Sequence, residues 1–311
     1  MHESLPTDKY VFKDRAWYWL GRECKGGDRE TFVPRNNVWA TDKKGLFKQD
    51  VRVRLRAPST REVLNLLFAK DSRQVYYIEG VAKAIVDVAS FEVLDPGCYP
   101  HPDGFMQHFG FACDKVNVYS HHFISGAPKV LRGANRNTFR HLDYGFAADD
   151  KSVWYESYRI KKADPGSFMI IDNLYSRDVK NVFYGESLIA GADKQSFEVI
   201  ARRTAVDAQH VFHCSQPIPG ADPNSFGMDA DGSFVGRDAT HVFIGDKLVH
   251  GADPDTFAQI GDSCYYRDKL TVYHMHEPVA GVDTASFEVI GHMSLAKDKH
   301  WEYSAGKRVA K

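Results

Sequence analysis

The chain has 311 residues, of which 43% are hydrophobic and 26% are charged, and its formal net charge is −1. This composition excludes an intrinsically disordered chain, and the near-neutral charge argues against general binding of nucleic acid. No apolar run approaches the roughly 18 residues of a membrane-spanning helix, so membrane insertion is not expected.

A repeat of about 30 residues begins near the N-terminus and continues to the end of the chain. Each copy starts with an Asp, and a β-branched and an aromatic residue stand at the fourth and fifth positions after it. In the clearest copies a second Asp follows fifteen residues after the first, within Gly-Ala-Asp-x-x-Ser/Thr-Phe. The copies start at Asp14, Asp42, Asp71, Asp114, Asp149, Asp178, Asp207, Asp238, Asp268 and Asp298. Ten units therefore cover the chain, with a worn copy at Asp42 and a truncated one at the end.

The first Asp of each unit lies between two apolar, β-rich segments, which is typical of a hairpin turn. We expect its side chain to accept hydrogen bonds from backbone N–H groups two residues on. The second Asp is expected to cap a one-turn helix or β-turn, with the following Phe in the core. Each unit is thus predicted to hold two or three short strands.

A unit of this size cannot bury its apolar face alone, so neighbouring units must stack on a shared core. The prediction is an all-β protein, a single array of about ten β-hairpin repeats over residues 1–311. We favour an open solenoid over a β-propeller, because ten blades would exceed the usual number of about four to eight.

The phrase Asp-Lys-x-x-Val-Tyr, followed by Gly-Ala-Asp-x-x-Ser-Phe, resembles the bacterial DKNYY repeat family. The lysine of this phrase stands at Lys43, Lys115, Lys269 and Lys299. The resemblance implies a β-rich repeat protein without an established activity, catalytic residues or cofactor. Many relatives are exported, whereas the charged N-terminus here shows no secretory signal and the five cysteines form no CxxC pair. We therefore expect a cytoplasmic protein.

Residues 51–56 alternate strictly between apolar residues and arginine, which predicts a strand. Arg52, Arg54 and Arg56 would then share one face, where their guanidinium groups could receive a partner bearing carboxylates or phosphates. The alternative is a solvated, charged face that prevents edge-to-edge pairing of sheets.

The repeat is interrupted around its fourth unit, by insertions at 95–110 and 120–132. Insertions in repeat proteins usually map to the binding face. Aromatic residues and Arg are also enriched in interface hot spots. The candidate partner-binding residues here are Tyr99, His101, Phe105, Phe109, His121, His122, Phe123 and Arg132. The alternative is a tolerated loop insertion without a function.

Candidate chemistry in the sequence is sparse. No metal site is expected near His121 and His122, because no Cys or carboxylate stands at ligand spacing around them. No nucleophile motif or phosphate-binding Gly loop is present, and no cofactor is expected. Asp95 and Asp103, beside His101, are the candidate acid–base set of an enzyme.

These observations predict a non-enzymatic repeat protein that binds a protein partner. A specific version of this hypothesis is an antitoxin-like immunity protein that neutralises a bacterial toxin in the cytoplasm. One alternative is a glycan or small-ligand binding module, in which Trp17 and Trp39 stack on sugar rings. The other is an enzyme with its site in the repeat-four insertions.

Overall fold

The computed structural model describes residues 7–101, 104–123, 126–229, 234–291 and 294–309. Regular structure in these ranges consists of β-strands and one 3-10 turn at Pro58–Thr60. The strands of repeats one to five are β1 (Tyr10–Lys13), β2 (Ala16–Trp19), β3 (Arg22–Glu23), β4 (Val33–Pro34), β5 (Trp39–Asp42), β6 (Gly45–Lys48), β7 (Val51–Arg52), β8 (Glu62–Val63), β9 (Phe68–Lys70), β10 (Val75–Tyr77), β11 (Gly80–Val81), β12 (Glu92–Val93), β13 (Tyr99–Pro100), β14 (Met106–Gln107), β15 (Phe109–Cys113), β16 (Val118–His122), β17 (Lys129–Val130), β18 (Arg140–Asp143), β19 (Phe146–Ala148), β20 (Val153–Tyr155) and β21 (Tyr158–Arg159). The strands of repeats six to ten are β22 (Met169–Ile170), β23 (Tyr175–Arg177), β24 (Val182–Tyr184), β25 (Ser187–Leu188), β26 (Glu198–Ala201), β27 (Thr204–Val206), β28 (Val211–His213), β29 (Gln216–Pro217), β30 (Gly227–Met228), β31 (Val235–Arg237), β32 (Val242–Ile244), β33 (Lys247–Leu248), β34 (Ala258–Gln259), β35 (Tyr265–Arg267), β36 (Val272–His274), β37 (Glu277–Pro278), β38 (Glu288–Val289), β39 (Leu295–Lys297), β40 (Glu302–Ser304) and β41 (Lys307–Val309).

Each repeat forms its own small antiparallel sheet, so the all-β repeat prediction is confirmed. Repeat one has three strands, and each later repeat has a four-stranded sheet in which neighbours along the chain pair with each other. Repeat four deviates, because β13 and β14 form a separate hairpin between β12 and β15. The prediction of two or three strands per unit was wrong. The outer strands are mostly two residues long, too short to show an alternating pattern in the sequence.

The first Asp of a repeat closes the turn between the two central strands, as predicted. In repeat three, Asp71 Oδ1 accepts hydrogen bonds from the backbone N–H groups of Arg73 and Gln74, both at 2.8 Å. Because both donors belong to the same tight turn, one carboxylate oxygen satisfies them together. The same pair of bonds forms at Asp42, Asp114, Asp149, Asp207, Asp238, Asp268 and Asp298.

The second oxygen of this carboxylate binds the preceding repeat. The backbone N–H of Asp87, the second Asp of repeat three, donates to Asp114 Oδ2 of repeat four at 3.0 Å. Equivalent bonds join residues 28 and 42, 57 and 71, 135 and 149, 164 and 178, 193 and 207, 222 and 238, 253 and 268, and 283 and 298. The recurring Asp column is therefore the joint between consecutive repeats.

The lysine of the repeat phrase adds an ion pair to this joint. Lys43 Nζ lies 2.7 Å from Asp28 Oδ2, and Lys299 Nζ lies 2.6 Å from Asp283 Oδ2. Lys115 and Lys269 pair in the same way with Asp87 and Asp253. These lysine side chains are more than half exposed, so water screens each ion pair and it contributes little to stability.

The core is shared between neighbouring sheets. Val75 and Tyr76 are adjacent on β10 and point to opposite faces, yet both are buried. Tyr76 belongs to a cluster with Trp39 of repeat two, and Val75 to a cluster with Tyr119 of repeat four. The sheet of repeat three therefore buries both of its faces, and the clusters shared by repeats two to four confirm that neighbouring repeats stack there on a common core.

The chain divides into two compact units, Met1–Val179 with Gly185–Ser187, and Lys180–Tyr184 with Leu188–Lys311. The repeat-four insertions and the residues predicted to bind a partner all lie in the first unit. Within the described residues no helix is long and apolar enough to cross a membrane.

Candidate protein-binding surfaces

The first insertion forms the β13–β14 hairpin, whose base is fixed to repeats five and six. The Tyr99 hydroxyl donates a hydrogen bond to Glu156 Oε1 at 3.0 Å, and the Gln107 side-chain amide donates to the same oxygen. The side-chain amide of Asn173 donates to the Pro100 carbonyl at 2.8 Å. These three bonds hold both strands of the hairpin.

Glu156, the acceptor of this anchor, occupies the turn after β20 with a φ of 51°. Burial raises the pKa of Glu156, while the Tyr99 hydrogen bond and the nearby His122 act in the opposite direction. His122 Nε2 lies 3.5 Å from the Gln107 side-chain nitrogen and extends the polar network. The network stabilises the hairpin base, since its donors and acceptors face one another inside the protein.

The tip of the hairpin presents apolar surface to solvent. Phe105 is 52% exposed and Met106 is 51% exposed. The His101 ring stacks on Phe105, with 4.4 Å between ring centroids and 18° between the ring planes. The structure thus brings together two of the predicted binding residues, His101 and Phe105, and adds Met106, which the sequence analysis missed.

Three predicted partner-binding residues are buried and do not lie on the surface of the folded chain. Tyr99 is 7% exposed, while Phe109 and His121 are each 1% exposed. Tyr99 and Phe109 belong to the core that repeats four and five share. His121 packs against the rings of Phe68 and Tyr77. Aromatic residues in an insertion suggested a surface, but here they fill the space under the hairpin.

The remaining candidates of this region lie apart from the tip contacts just described. His122 and Phe123 are half-buried, and Phe123 packs edge-on against His108 with 5.3 Å between centroids. Arg132 is exposed in the turn after β17. The candidates of the second insertion therefore lie at the end of β16 and in the turn after β17, and not at the tip of the β13–β14 hairpin.

Asp95 holds the start of the first insertion from inside the protein. Its Oδ1 accepts from the Gly97 N–H at 2.7 Å and its Oδ2 from the Phe111 N–H at 2.5 Å. Burial raises the pKa of Asp95 to about 7, and the two backbone hydrogen bonds oppose that shift. Both oxygens are thus used in backbone bonds. Asp103, its predicted acid–base partner, lies outside the described residues.

The Asp95 carboxylate requires a glycine at position 110. A Cβ on Gly110 would overlap Asp95 Oδ1 and lie 3.1 Å from Gly97 Cα. We expect Gly110→Ala to lower the free energy of unfolding by about 1–3 kcal/mol, as overpacking usually does. Urea unfolding checks this against Gly227→Ala, where a Cβ in another strand meets open space. Equal effects of the two substitutions would contradict the prediction.

The predicted arginine ladder does not form, because β7 ends at Arg52. Arg52 instead turns to the buried Asp42, with its Nη2 2.6 Å from Oδ2 and its Nη1 3.0 Å from Oδ1. Arg54 and Arg56 are exposed. The backbone N–H of Arg56 donates to Asp71 at 2.9 Å, so the next joint between repeats bends the chain away from the strand.

Arg54 lines a cleft of about 240 Å³ between repeats two and three. One wall is formed by Val51, Arg52, Val53 and Arg54, and the other by Tyr77, Gly80 and Val81. Two further cavities, beside Asp95 and beside Arg203, measure about 70 and 10 Å³. The sequence analysis missed the second wall, because residues 77–81 meet residues 51–54 only through the stacking of two sheets.

The structure also places the residues considered for metal binding and for sugar binding. No three His, Cys, Asp or Glu side chains of the described ranges are grouped as a metal site. Trp39 is fully buried, and its indole N–H donates to the Leu66 carbonyl at 3.1 Å. Trp17 stacks on Phe32 at 5.0 Å between centroids. Trp39 is therefore enclosed in the core, whereas Trp17 is half-buried and packs against the core of repeats one and two.

The stacked four-stranded sheets, joined through one aspartate per repeat, define a β-sheet repeat protein. Comparison with protein families agrees: the DKNYY family model matches residues 10–158, 68–216 and 204–311. Together these matches span nearly the whole chain, and the chain belongs to the DKNYY family. Neither the curated proteins nor the solved structures contain a match.

Proposed function

We propose that this chain is a non-enzymatic protein-binding repeat protein whose partner docks on the tip of the β13–β14 hairpin. The observation that carries the proposal is the contrast within one hairpin. Its base is anchored by Tyr99, Gln107 and Asn173, while Phe105 and Met106 at its tip are half exposed. An apolar anchor held in place before binding loses little conformational entropy when a partner covers it.

The proposal places the protein in the cytoplasm. All five cysteines are free thiols, which suits a reducing compartment. The specific version of the proposal is an immunity protein that neutralises a toxin of a bacterial cell.

Site-specific photo-crosslinking tests the docking surface. We expect a photoreactive phenylalanine analogue at position 105 to cross-link one protein in cells of the native host. The same analogue at Leu270, which is 64% exposed in repeat nine, serves as the control and should not cross-link that protein. Equal cross-linking from both positions would contradict the proposal.

The cross-linked protein is then purified and its affinity measured. Replacing Phe105 and Met106 by Ser should raise the Kd by roughly tenfold or more, because truncated hot-spot residues cost that much. An unchanged Kd would overturn the proposed surface. If the partner is toxic to cells, rescue by the wild-type chain and loss of rescue by the double variant would test the immunity role directly.

A further inference from the structure

We infer that the cleft between repeats two and three binds a protein segment in which a carboxylate stands one or two residues from a large apolar side chain. This inference rests on the proposed function only for the class of partner, a protein, and uses a different surface of the molecule. It is carried by the size, the charge and the edges of the cleft.

The size of the cleft suits one side chain rather than a whole small-molecule ligand. Its volume of about 240 Å³ would hold several waters, at about 30 Å³ each. Sites for drug-sized ligands usually measure about 300–1,000 Å³. Val53, Tyr77 and Val81 in its walls are all part-buried, so a bulky apolar side chain would bury further apolar surface there.

The rim of the cleft is positively charged. Arg54 is exposed and Lys48 is half-buried, and neither forms an ion pair with the described residues. Arg52 differs, since Asp42 already neutralises it. Eight basic residues and only two acidic ones lie between positions 35 and 61, although the whole chain is close to neutral. An acidic group beside the apolar side chain would therefore meet two cations without displacing an internal partner.

The edges of the cleft favour an extended peptide over a free anion. Both β7 and β11 are the outermost strands of their sheets, and edge strands offer backbone N–H and C=O groups to another chain. Val51, at the mouth on β7, is 56% exposed. A peptide backbone lying along this edge would cover Val51 while one side chain enters the cleft.

Selection from random peptides tests the inference without knowledge of the partner. Phage-displayed heptapeptides are selected on the wild-type protein and counter-selected on Gly80→Leu. Gly80 lines the cleft, and a Cβ there meets nothing within 4 Å, so a leucine at this position should narrow the cleft without straining the backbone. We expect the enriched peptides to carry Asp or Glu within two residues of Phe, Leu, Trp or Met.

The affinities of synthetic enriched peptides, measured by fluorescence anisotropy, give the quantitative readout. Gly80→Leu and the double substitution Lys48→Glu with Arg54→Glu should each raise the Kd by roughly tenfold or more. Gly227→Leu is the matched control, because position 227 also lies in a strand with open space around its Cβ; it should leave the Kd unchanged. Circular dichroism and thermal unfolding confirm that each variant is folded.

Several results would overturn the inference. These are no enrichment over the counter-selection, enriched peptides without acidic residues, and equal binding to the wild type and Gly80→Leu. Binding of free phenylacetate without any enriched peptide would assign the cleft to small anions instead. Because the probes are free peptides, the result reports on the cleft whether or not position 105 cross-links to a partner.

Discussion

Asp114→Asn is expected to lower the free energy of unfolding by about 3–5 kcal/mol, since it leaves buried donors without an acceptor. Asp114 is fully buried. Its Oδ1 accepts from the N–H groups of Val116 and Asn117, both at 2.8 Å. Its Oδ2 accepts from the N–H groups of Val86 and Asp87, at 3.1 and 3.0 Å, and from the Tyr119 hydroxyl at 2.7 Å. An amide has one oxygen, so its NH₂ group must face at least two of these donors.

The charge of Asp114 is part of the same joint. Burial alone would raise the pKa of Asp114, but the hydrogen bonds from Tyr119 and from the backbone outweigh burial and lower it. A carboxyl with a lowered folded pKa stabilises the fold above its unfolded pKa of about 3.8 and loses that contribution as the pH falls through the folded value. Asp42, Asp71, Asp238 and Asp268 also have lowered pKa values, so we expect steep acid unfolding below about pH 4.

Urea unfolding and hydrogen exchange check the Asp114 prediction together. The unfolding midpoint should fall strongly in Asp114→Asn, and the amides of Val86, Asp87, Val116 and Asn117 should lose protection. The exposed Asp262 provides the control Asp262→Asn. Lys115→Ala, which removes only the exposed ion pair to Asp87, should shift the unfolding midpoint far less than Asp114→Asn does. An Asp114 variant as stable as these two would show that the joint does not depend on its carboxylate.

The Asp joint is expected to stabilise the fold much more than the Lys ion pair does. This difference explains why the Asp recurs more regularly than the Lys along the sequence. An Asp begins all ten copies, and in repeats two to ten its carboxylate joins the preceding repeat. The lysine appears in only four copies, and its exposed ion pair contributes little. In the worn second copy Ala57 replaces the second Asp, yet its backbone N–H still donates to Asp71. The joint thus needs the first Asp of the next repeat but not the side chain of the second Asp. The number of repeats, their turns and their stacking could therefore be predicted from spacing alone.

The candidate surfaces were less predictable, because they depend on contacts between sheets. The seventh residue after the first Asp shows why. At Glu156, Cys214 and Met275 this position is a tight turn with φ between 51° and 55°. In repeat four the same position is His121, where β16 continues to His122. The longer interval between the two Asp positions of repeat four reveals an irregularity in the sequence. It does not reveal that the residue at the turn position becomes a buried strand residue.

Burial of His121 contributes a pH dependence that weakens the fold in mild acid. The His121 ring lies between Phe68 and Tyr77, at 5.4 and 5.2 Å between ring centroids. Neither ring nitrogen has a hydrogen-bond partner of normal geometry in the described part of the chain. The pKa of His121 is lowered to about 4, chiefly by burial and also by the neighbouring His122, while the backbone at Gly126 offsets a part of the shift.

The sign of the resulting pH dependence follows from proton binding. The unfolded chain binds a proton at this histidine near its ordinary pKa of about 6.5, whereas the folded chain binds it only near 4. Stability therefore falls as the pH drops from about 6.5 to about 4, by about 3 kcal/mol in total, at 1.4 kcal/mol for each pH unit. Asp95, with its pKa raised to about 7, acts in the opposite direction over an overlapping range.

His121→Phe isolates this contribution, since it keeps a ring in the same place and removes both nitrogens. We expect the variant to be at least as stable as the wild type at pH 7.5, because two buried polar atoms without partners are lost. Between pH 7 and 4.5 the slope of its unfolding free energy against pH should differ from that of the wild type. The difference should correspond to about one proton fewer taken up on unfolding. Urea unfolding across this pH range measures the difference, and Asp95 cancels because both proteins contain it.

Two further variants keep the result decisive. His250→Gln removes an exposed histidine and should leave the pH dependence unchanged, while His121→Leu replaces the ring if phenylalanine overfills the site. The same pH slope in the wild type and in both His121 variants would show that folding does not lower the pKa of His121, so that the buried ring takes up its proton in mild acid as the unfolded chain does. The folded protein would then hold a charge between Phe68 and Tyr77, and the irregular turn of repeat four would have to supply an acceptor for it.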